Sequence, residues 1–168
     1  MLSEKNPKIS IRHAVTGDLE FITELEASCF PPSEAADRES FRKRLSVYPD
    51  HFWLLEENGR VVSMINGLVT DIPVLQDIMF EDAGYHKENG DWQMIFGVAT
   101  HPDFQGEGYA SLIMERVISD AIKQDRRGIV LTCKDKLLSF YERFGFINEG
   151  ISKSEHGGAL WYDMRLTF

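Results

Sequence analysis

The chain has 168 residues, with 18 Lys and Arg against 27 Asp and Glu and a formal net charge of −9; this length suits one domain, 1–168, with ample core, and the acidic balance argues against nucleic acid as a partner. No apolar run approaches the roughly 18 residues of a membrane span, and Met1-Leu-Ser-Glu-Lys-Asn-Pro-Lys8 has no apolar stretch of the kind a secretory signal needs. Cys29 and Cys133 are far apart and form no metal-ligand spacing, so reduced thiols in a cytoplasmic protein without a metal are expected.

Lys8 to Val15 alternates through Ile9 and Ile11 and reads as a first strand. Thr16 is placed to cap a helix whose face carries Leu19, Ile22, Leu25 and Cys29. Phe30-Pro-Pro-Ser33 stops it. A second helix is predicted from Ala36 to Val47, with Phe41 and Leu45 inward. His51 to Glu56 and Arg60 to Thr70 form a hairpin around Glu57-Asn58-Gly59, since Asn-Gly favours a tight turn. The long irregular stretch Ile72 to Asp91 suggests a functional loop. Trp92 to Ala99 reads as a central strand, Gly108 to Lys123 as an amphipathic helix, and Gly128 to Cys133 as a buried strand. A short helix runs from Asp135 to Phe144 and ends at Gly145, and strands follow near Phe146 to Ile151 and Ala159 to Thr167. This order points to an α+β or mixed α/β fold with helices on both faces of a sheet.

The most informative segment is Val98-Ala-Thr-His-Pro-Asp-Phe-Gln-Gly-Glu-Gly-Tyr-Ala-Ser111. A glycine-rich turn between a strand and a helix leaves backbone N–H groups unpaired at the helix start, where the dipole favours anions. A P-loop requires a Lys that is absent after Gly108, and the dinucleotide fingerprint G-x-G-x-x-G does not fit. Gln105-Gly106-Glu107-Gly108-Tyr109-Ala110 does match Q/R-x-x-G-x-G/A. This is the pyrophosphate motif of the GNAT superfamily of acetyl-CoA-dependent N-acetyltransferases, which the chain resembles over its full length. The resemblance implies the GNAT fold, with a central, mostly antiparallel twisted sheet of about seven strands.

Two segments resemble one branch, the arylalkylamine (serotonin-type) N-acetyltransferases: Leu131 to Phe146, containing Phe140-Tyr-Glu-Arg-Phe-Gly-Phe146, and Gly150 to Met164. Cys29-Phe-Pro-Pro-Ser-Glu-Ala-Ala36 fits its bacterial and fungal members. The resemblance implies direct attack by an amine on acetyl-CoA. It places the pantetheine along Val98, Ala99 and Thr100, and the pyrophosphate on the N–H groups of Gln105, Gly106, Glu107, Gly108, Tyr109, Ala110 and Ser111. Tyr141 occupies the family's catalytic tyrosine position and is the expected general acid. The vertebrate His-x-His pair is replaced here by Met94 and Phe96, neither of which accepts a proton. Glu34 is then the leading candidate for the base, near where insect relatives carry a catalytic glutamate, although an exposed helix-terminal Glu reads the same way.

Phe30, Phe41 and His156 are candidates for the acceptor pocket, with Phe80 and Trp161 beside them; each aromatic is also explained by packing alone. Cys133 ends a buried strand without a His partner in sequence and reads as core. The expected protein is a cytoplasmic monomer or homodimer acting on a small primary amine. The alternatives are a polyamine, an aminoglycoside or a protein α-amine as acceptor, or a non-catalytic acyl-CoA-binding module.

Overall fold

The structure, a computed structural model, describes residues 6–168. Strand β1 (Ile9–His13) is followed by helices α1 (Leu19–Cys29) and α2 (Arg38–Val47). The carboxylate of Asp37 accepts from the Ser40 N–H at 2.8 Å, so α2 starts two residues later than the sequence pattern suggests. β2 (Phe52–Glu57) and β3 (Arg60–Asn66) form the expected hairpin. Asn58 and Gly59 turn it with φ of 51° and 82°, the left-handed pair that matches the twist of the strands.

The rest of the chain adds β4 (Val69–Thr70), the short α3 (Ile78–Glu81), β5 (Trp92–Ile95), β6 (Gly97–Thr100) and α4 (Tyr109–Lys123). β7 (Gly128–Cys133), α5 (Leu138–Glu142), β8 (Ile147–Ile151) and β9 (Tyr162–Thr167) complete it. No helix among the described residues is long and apolar enough to cross a membrane.

One sheet of about seven strands was the expectation; the strands instead divide into two sheets. One has the order β1-β2-β3-β6 and the other β4-β5-β7-β9-β8. Among the described residues, only β5 and β7 pair in parallel. The division falls inside the stretch that the sequence pattern joins into one strand, Trp92 to Ala99. Asn66 pairs with Gly97, and Val69 pairs with Gln93. Between these pairs one chain advances three residues and its partner four (69 − 66 against 97 − 93), so one residue is extra. That is a β-bulge at Phe96, which bends the strand and ends its pairing. β5 stays with β7 as far as the pair Ile95–Leu131. β6 turns away and pairs only with β3. A cleft therefore opens between Gly97–Val98 on one wall and Thr132–Cys133 on the other.

Alternation along β2 shows both faces of the sheet to be covered. Phe52 and Leu54 join a core with Ile22, Leu25, Phe41 and Leu45 beneath α1 and α2. Trp53 and Leu55 join a second core with Ile113, Met114, Val117 and Ala121 beneath α4. Each fully buried large side chain contributes about 1.5–3 kcal/mol, so two cores hold the rigid walls from which the cleft is cut. Leu112, beside Ile113 in the first turns of α4, is exposed.

Candidate active site

The cleft has three connected parts. The first is a groove at the start of α4. Gly106 and Gly108 adopt φ of +82° and +79°, and the helix begins at Gly108 with no side-chain cap. The first intrahelical bond along this segment, Leu112 N–H to the Gly108 carbonyl, is 3.1 Å. The N–H groups of Tyr109, Ala110 and Ser111 are thus free of helical partners and face an anion site. A Cβ on Gly106 or Gly108 would meet nothing within 4 Å; the glycines serve the backbone conformation and leave the groove open. Val98, Thr100, Gln105, Ala110 and Ser111 line this groove, and Arg143 closes its other side. Two of the residues expected to hold the donor turn their side chains away from the groove, and the backbone of one, Ala99, is paired with Met64 of β3 and does not face it. Tyr109 points inward, its hydroxyl donating to Glu57 at 3.0 Å. Ala99 is buried against the core. The Glu107 side chain is exposed and outside the groove lining, as a carboxylate beside a pyrophosphate should be.

The edge of β6 supplies the second element. His101 N–H donates to the Val62 carbonyl at 2.8 Å, and antiparallel alternation then turns the backbone groups of Val98 and Thr100 away from β3. The Thr100 carbonyl on that open side accepts from Cys29 Sγ at 3.2 Å and from Gln105 Nε2 at 3.3 Å.

The third part is a chamber where the sheets part. Its walls include Phe30, Phe80, Phe96, Trp161, His156 and Tyr141. Its volume is about 80 Å³, and it shares lining residues with the groove and with a second, polar pocket. Tyr141 lines both groove and chamber. Burial, followed by the Cys133 thiol, pushes its phenol above the ordinary tyrosine value, so it keeps its proton at neutral pH. Phe80 stacks on His156 at 4.5 Å and lies 4.9 Å from Phe96. His156 Nε2 donates to the Glu34 carbonyl at 2.8 Å and Trp161 Nε1 donates to the His156 carbonyl at 2.8 Å. The Glu155 N–H donates to Asp77 at 3.0 Å. Three loops distant in sequence are thereby locked over the chamber.

The sequence profile of the Acetyltransferase (GNAT) family matches residues 19–146. The chain belongs to this family. The serotonin N-acetyltransferase of Mesocricetus auratus is 28% identical to it over 174 aligned positions, covering 87% of this chain and 83% of that protein. The uncharacterized N-acetyltransferase ycf52 of Gracilaria tenuistipitata var. liui is 32% identical over 72 residues, a match that spans 42% of this chain and only 37% of that protein. Among solved structures, Arabidopsis thaliana Naa50 in complex with the bisubstrate analogue CoA-Ac-MVNAL superposes with a TM-score of 0.74 at 17% identity, covering 95% of this chain and 99% of that one. At that identity the likeness speaks to fold alone.

For a GNAT acetyltransferase, the placement of the expected site residues is then informative. Phe30 and His156 line the chamber. Phe41 does not: it is fully buried in the core under α2, 6.2 Å from Phe52, because its position on the inward face of α2 points it at the sheet. Met94 is likewise core, whereas Phe96, the bulge residue, faces the chamber. Glu34 lines the chamber, but one of its carboxylate oxygens is 2.6 Å from Lys134 Nζ. That oxygen is therefore already engaged in an ion pair.

Sequence reasoning missed Arg143, Arg44 and Glu26. Glu26 had a detectable signal: it sits one turn after Ile22 and next to Leu25, on the face of α1 that the apolar pattern marks as buried. Arg44 is sandwiched between the rings of Phe41 and Phe96, at 5.2 and 5.0 Å.

Cys133 also touches the chamber. Burial, with a smaller contribution from Glu142, pushes its thiol up to about 11, and a protonated thiol is a poor nucleophile. Cys133→Ala is expected to keep kcat within about threefold of wild type, since direct transfer needs no acyl-enzyme; a burst of CoA release lost in the variant would show otherwise.

One group of metal-type ligands occurs among the described residues, His51, His86 and Glu88. His86 Nδ1 accepts from the Val69 N–H at 3.0 Å, so the neutral ring carries its proton on Nε2 and donates it to Glu88 at 2.7 Å. The lone pair an ion would need is therefore taken. The cluster ties the 86–91 segment to β5 through His51 and Gln93.

Proposed function

We propose that this N-acetyltransferase moves an acetyl group from acetyl-CoA directly to a small primary amine of arylalkylamine type. The observation that carries the reading is the chamber itself. It sits at the split of the sheets, between the groove at α4 and a wall of Phe30, Phe80, Phe96 and Trp161. Stacked and edge-on aromatic contacts with such walls are each worth about 0.5–1.5 kcal/mol beyond area burial. The similarity to a serotonin N-acetyltransferase supports the same acceptor class.

The groove fits the donor. Free N–H groups at Tyr109 to Ser111 and the Arg143 guanidinium match a pyrophosphate, and the open edge at Val98 and Thr100 matches the amides of a pantetheine arm. Tyr141, shared by groove and chamber, is placed to protonate the leaving sulfur.

A second reading has support from a polar pocket beyond the chamber, lined by Glu26, Asp37, Asp77 and Glu81. Such a lining favours an acceptor with a second ammonium, as in a polyamine. One assay separates them: thiol release from acetyl-CoA with tryptamine, phenethylamine and spermidine. The aromatic amines are expected to show the higher kcat/KM. A preference for spermidine would move the assignment to polyamines, and acetyl-CoA binding without turnover on any amine would reduce the protein to a binding module.

A further inference from the structure

We propose that Glu26 is the general base that takes the ammonium proton of the acceptor, its carboxylate fixed by the Ala36 N–H. This assignment rests on the acetyl-transfer reading above.

Glu26 is 5% exposed and belongs to the lining of both the aromatic chamber and the polar pocket, so it stands where the two meet. Its Oε2 accepts from the Ala36 N–H at 2.9 Å, which fixes the carboxylate plane. Its Oε1 is buried and has no hydrogen-bond partner among the described residues. A buried acceptor left free is destabilising, which is understandable where a substrate proton completes the set. A Cβ built on Gly97 would lie 3.5 Å from this oxygen and 3.8 Å from Asn66 Nδ2. Gly97 follows the bulge residue Phe96. The carboxylate therefore faces the mouth of the split across a residue with no side chain to cover it.

The orientation of Asn66 is set by Arg44, whose NH1 donates to Asn66 Oδ1 at 3.1 Å. A guanidinium has no acceptor, so Asn66 turns its amide nitrogen away from Arg44, and this nitrogen too is buried without a partner among the described residues. Arg44 in turn donates to the Phe80 carbonyl at 2.9 Å. The charged and titratable groups around Glu26 are Arg44 from α2, His156 from the 156–158 turn, Glu34 with its Lys134 partner, and Cys29 on α1 itself. Burial pushes the Glu26 carboxyl above the usual carboxylate range, while the Ala36 N–H, Arg44 and His156 pull it down. Unlike Glu34, it has no ammonium or guanidinium within ion-pair distance among the described residues.

The step balances as follows. The ammonium gives one proton to Glu26, leaving a neutral amine whose lone pair forms the new C–N bond as the C–S bond breaks. The sulfur takes the hydroxyl proton of Tyr141. The second proton lost by the nitrogen restores Tyr141, and Glu26 returns its proton to solvent.

Glu26→Gln keeps the side-chain oxygen that accepts from Ala36. With the amine that the panel identifies, it should lower kcat about 100-fold or more, leave acetyl-CoA affinity within about threefold, and abolish the acid limb of the kcat/KM profile. Glu34→Gln should lower the rate while that limb remains. A Glu26→Gln enzyme with wild-type kcat and an intact acid limb overturns the assignment while the transferase reading survives. Absence of wild-type turnover on every amine overturns both. If the variant does not fold, infrared titration of the wild-type protein decides: a carboxyl band with the midpoint of the acid limb upholds the base, and a limb without such a band refutes it.

Discussion

Tyr141→Phe is expected to lower kcat about 100-fold or more while leaving acetyl-CoA binding and thermal stability nearly unchanged. General acid catalysis by a positioned group contributes about 10²–10⁴-fold, and the variant removes only the hydroxyl. The ring keeps its contacts: Phe140 at 5.0 Å and Phe146 at 5.8 Å, both edge-on. Phenylalanine makes these contacts equally well. Tyr141 belongs to the lining shared by groove and chamber, where the proposed reaction places the thioester sulfur. Its burial keeps it protonated across the neutral range, which is the state a leaving thiolate requires. Steady-state kinetics with acetyl-CoA titrations by calorimetry check this. An unchanged kcat would remove Tyr141 from the proton path, and an equal loss of affinity and rate would make its role positional.

Gly67→Ala should be the more damaging change to the fold. Gly67 lies between β3 and β4, opposite the bulge. A Cβ there would be 1.8 Å from the Met94 carbonyl oxygen and 2.6 Å from its carbon. Neither chain is free to yield. Met94 N–H donates to the Leu68 carbonyl at 2.8 Å, Phe96 N–H to the Asn66 carbonyl at 2.7 Å, and Gln93 Nε2 to the Met94 carbonyl at 2.8 Å. A clash with pinned backbone exceeds ordinary overpacking, so a loss of about 3 kcal/mol or more is expected, roughly a 10 °C fall in Tm for a chain this size. Gly106→Ala is the contrasting case. Its Cβ enters open space, so only the left-handed φ is penalised, by about 1–2 kcal/mol. Its main effect should be weaker acetyl-CoA binding, because the loop relaxes away from its anion-binding form. Differential scanning calorimetry with and without acetyl-CoA separates the two variants. Equal Tm values for both would refute the close approach at Gly67.

The outcome for individual residues shows where sequence patterns carry information. Asn58-Gly59, the Gly108–Lys123 helix and the Gly128–Cys133 strand were legible because each is set by local backbone preference and a single periodicity. Phe41 was assigned to the pocket because an aromatic in a helix reads alike whether it faces a cavity or the sheet. Glu26 was passed over for the converse reason. A lone glutamate in a helix reads as solvated, and only its place one turn from Ile22 marked it as buried. The long 72–91 segment was recognised as unusual, yet its use, tying Asp77 and Phe80 to the 154–156 turn, required partners about 75 residues away.

By itself the sequence determined the backbone of the proposed donor groove. A strand, a glycine-rich turn and a helix start are contiguous in the chain, and the direction of their backbone groups follows from φ and ψ alone. Only the tertiary structure decided which side chains meet at the proposed proton-transfer site. The bulge at Phe96 exists because two paired strands differ by one residue in length between fixed pairs, a property of the pairing that neither strand shows alone. The carboxylate that faces the resulting split comes from α1, the backbone N–H that fixes it from the loop before α2, and the guanidinium that orients the nearby Asn66 amide from α2. Charges gathered from separate elements acquire their chemistry from shared burial, and burial is set only when the elements pack.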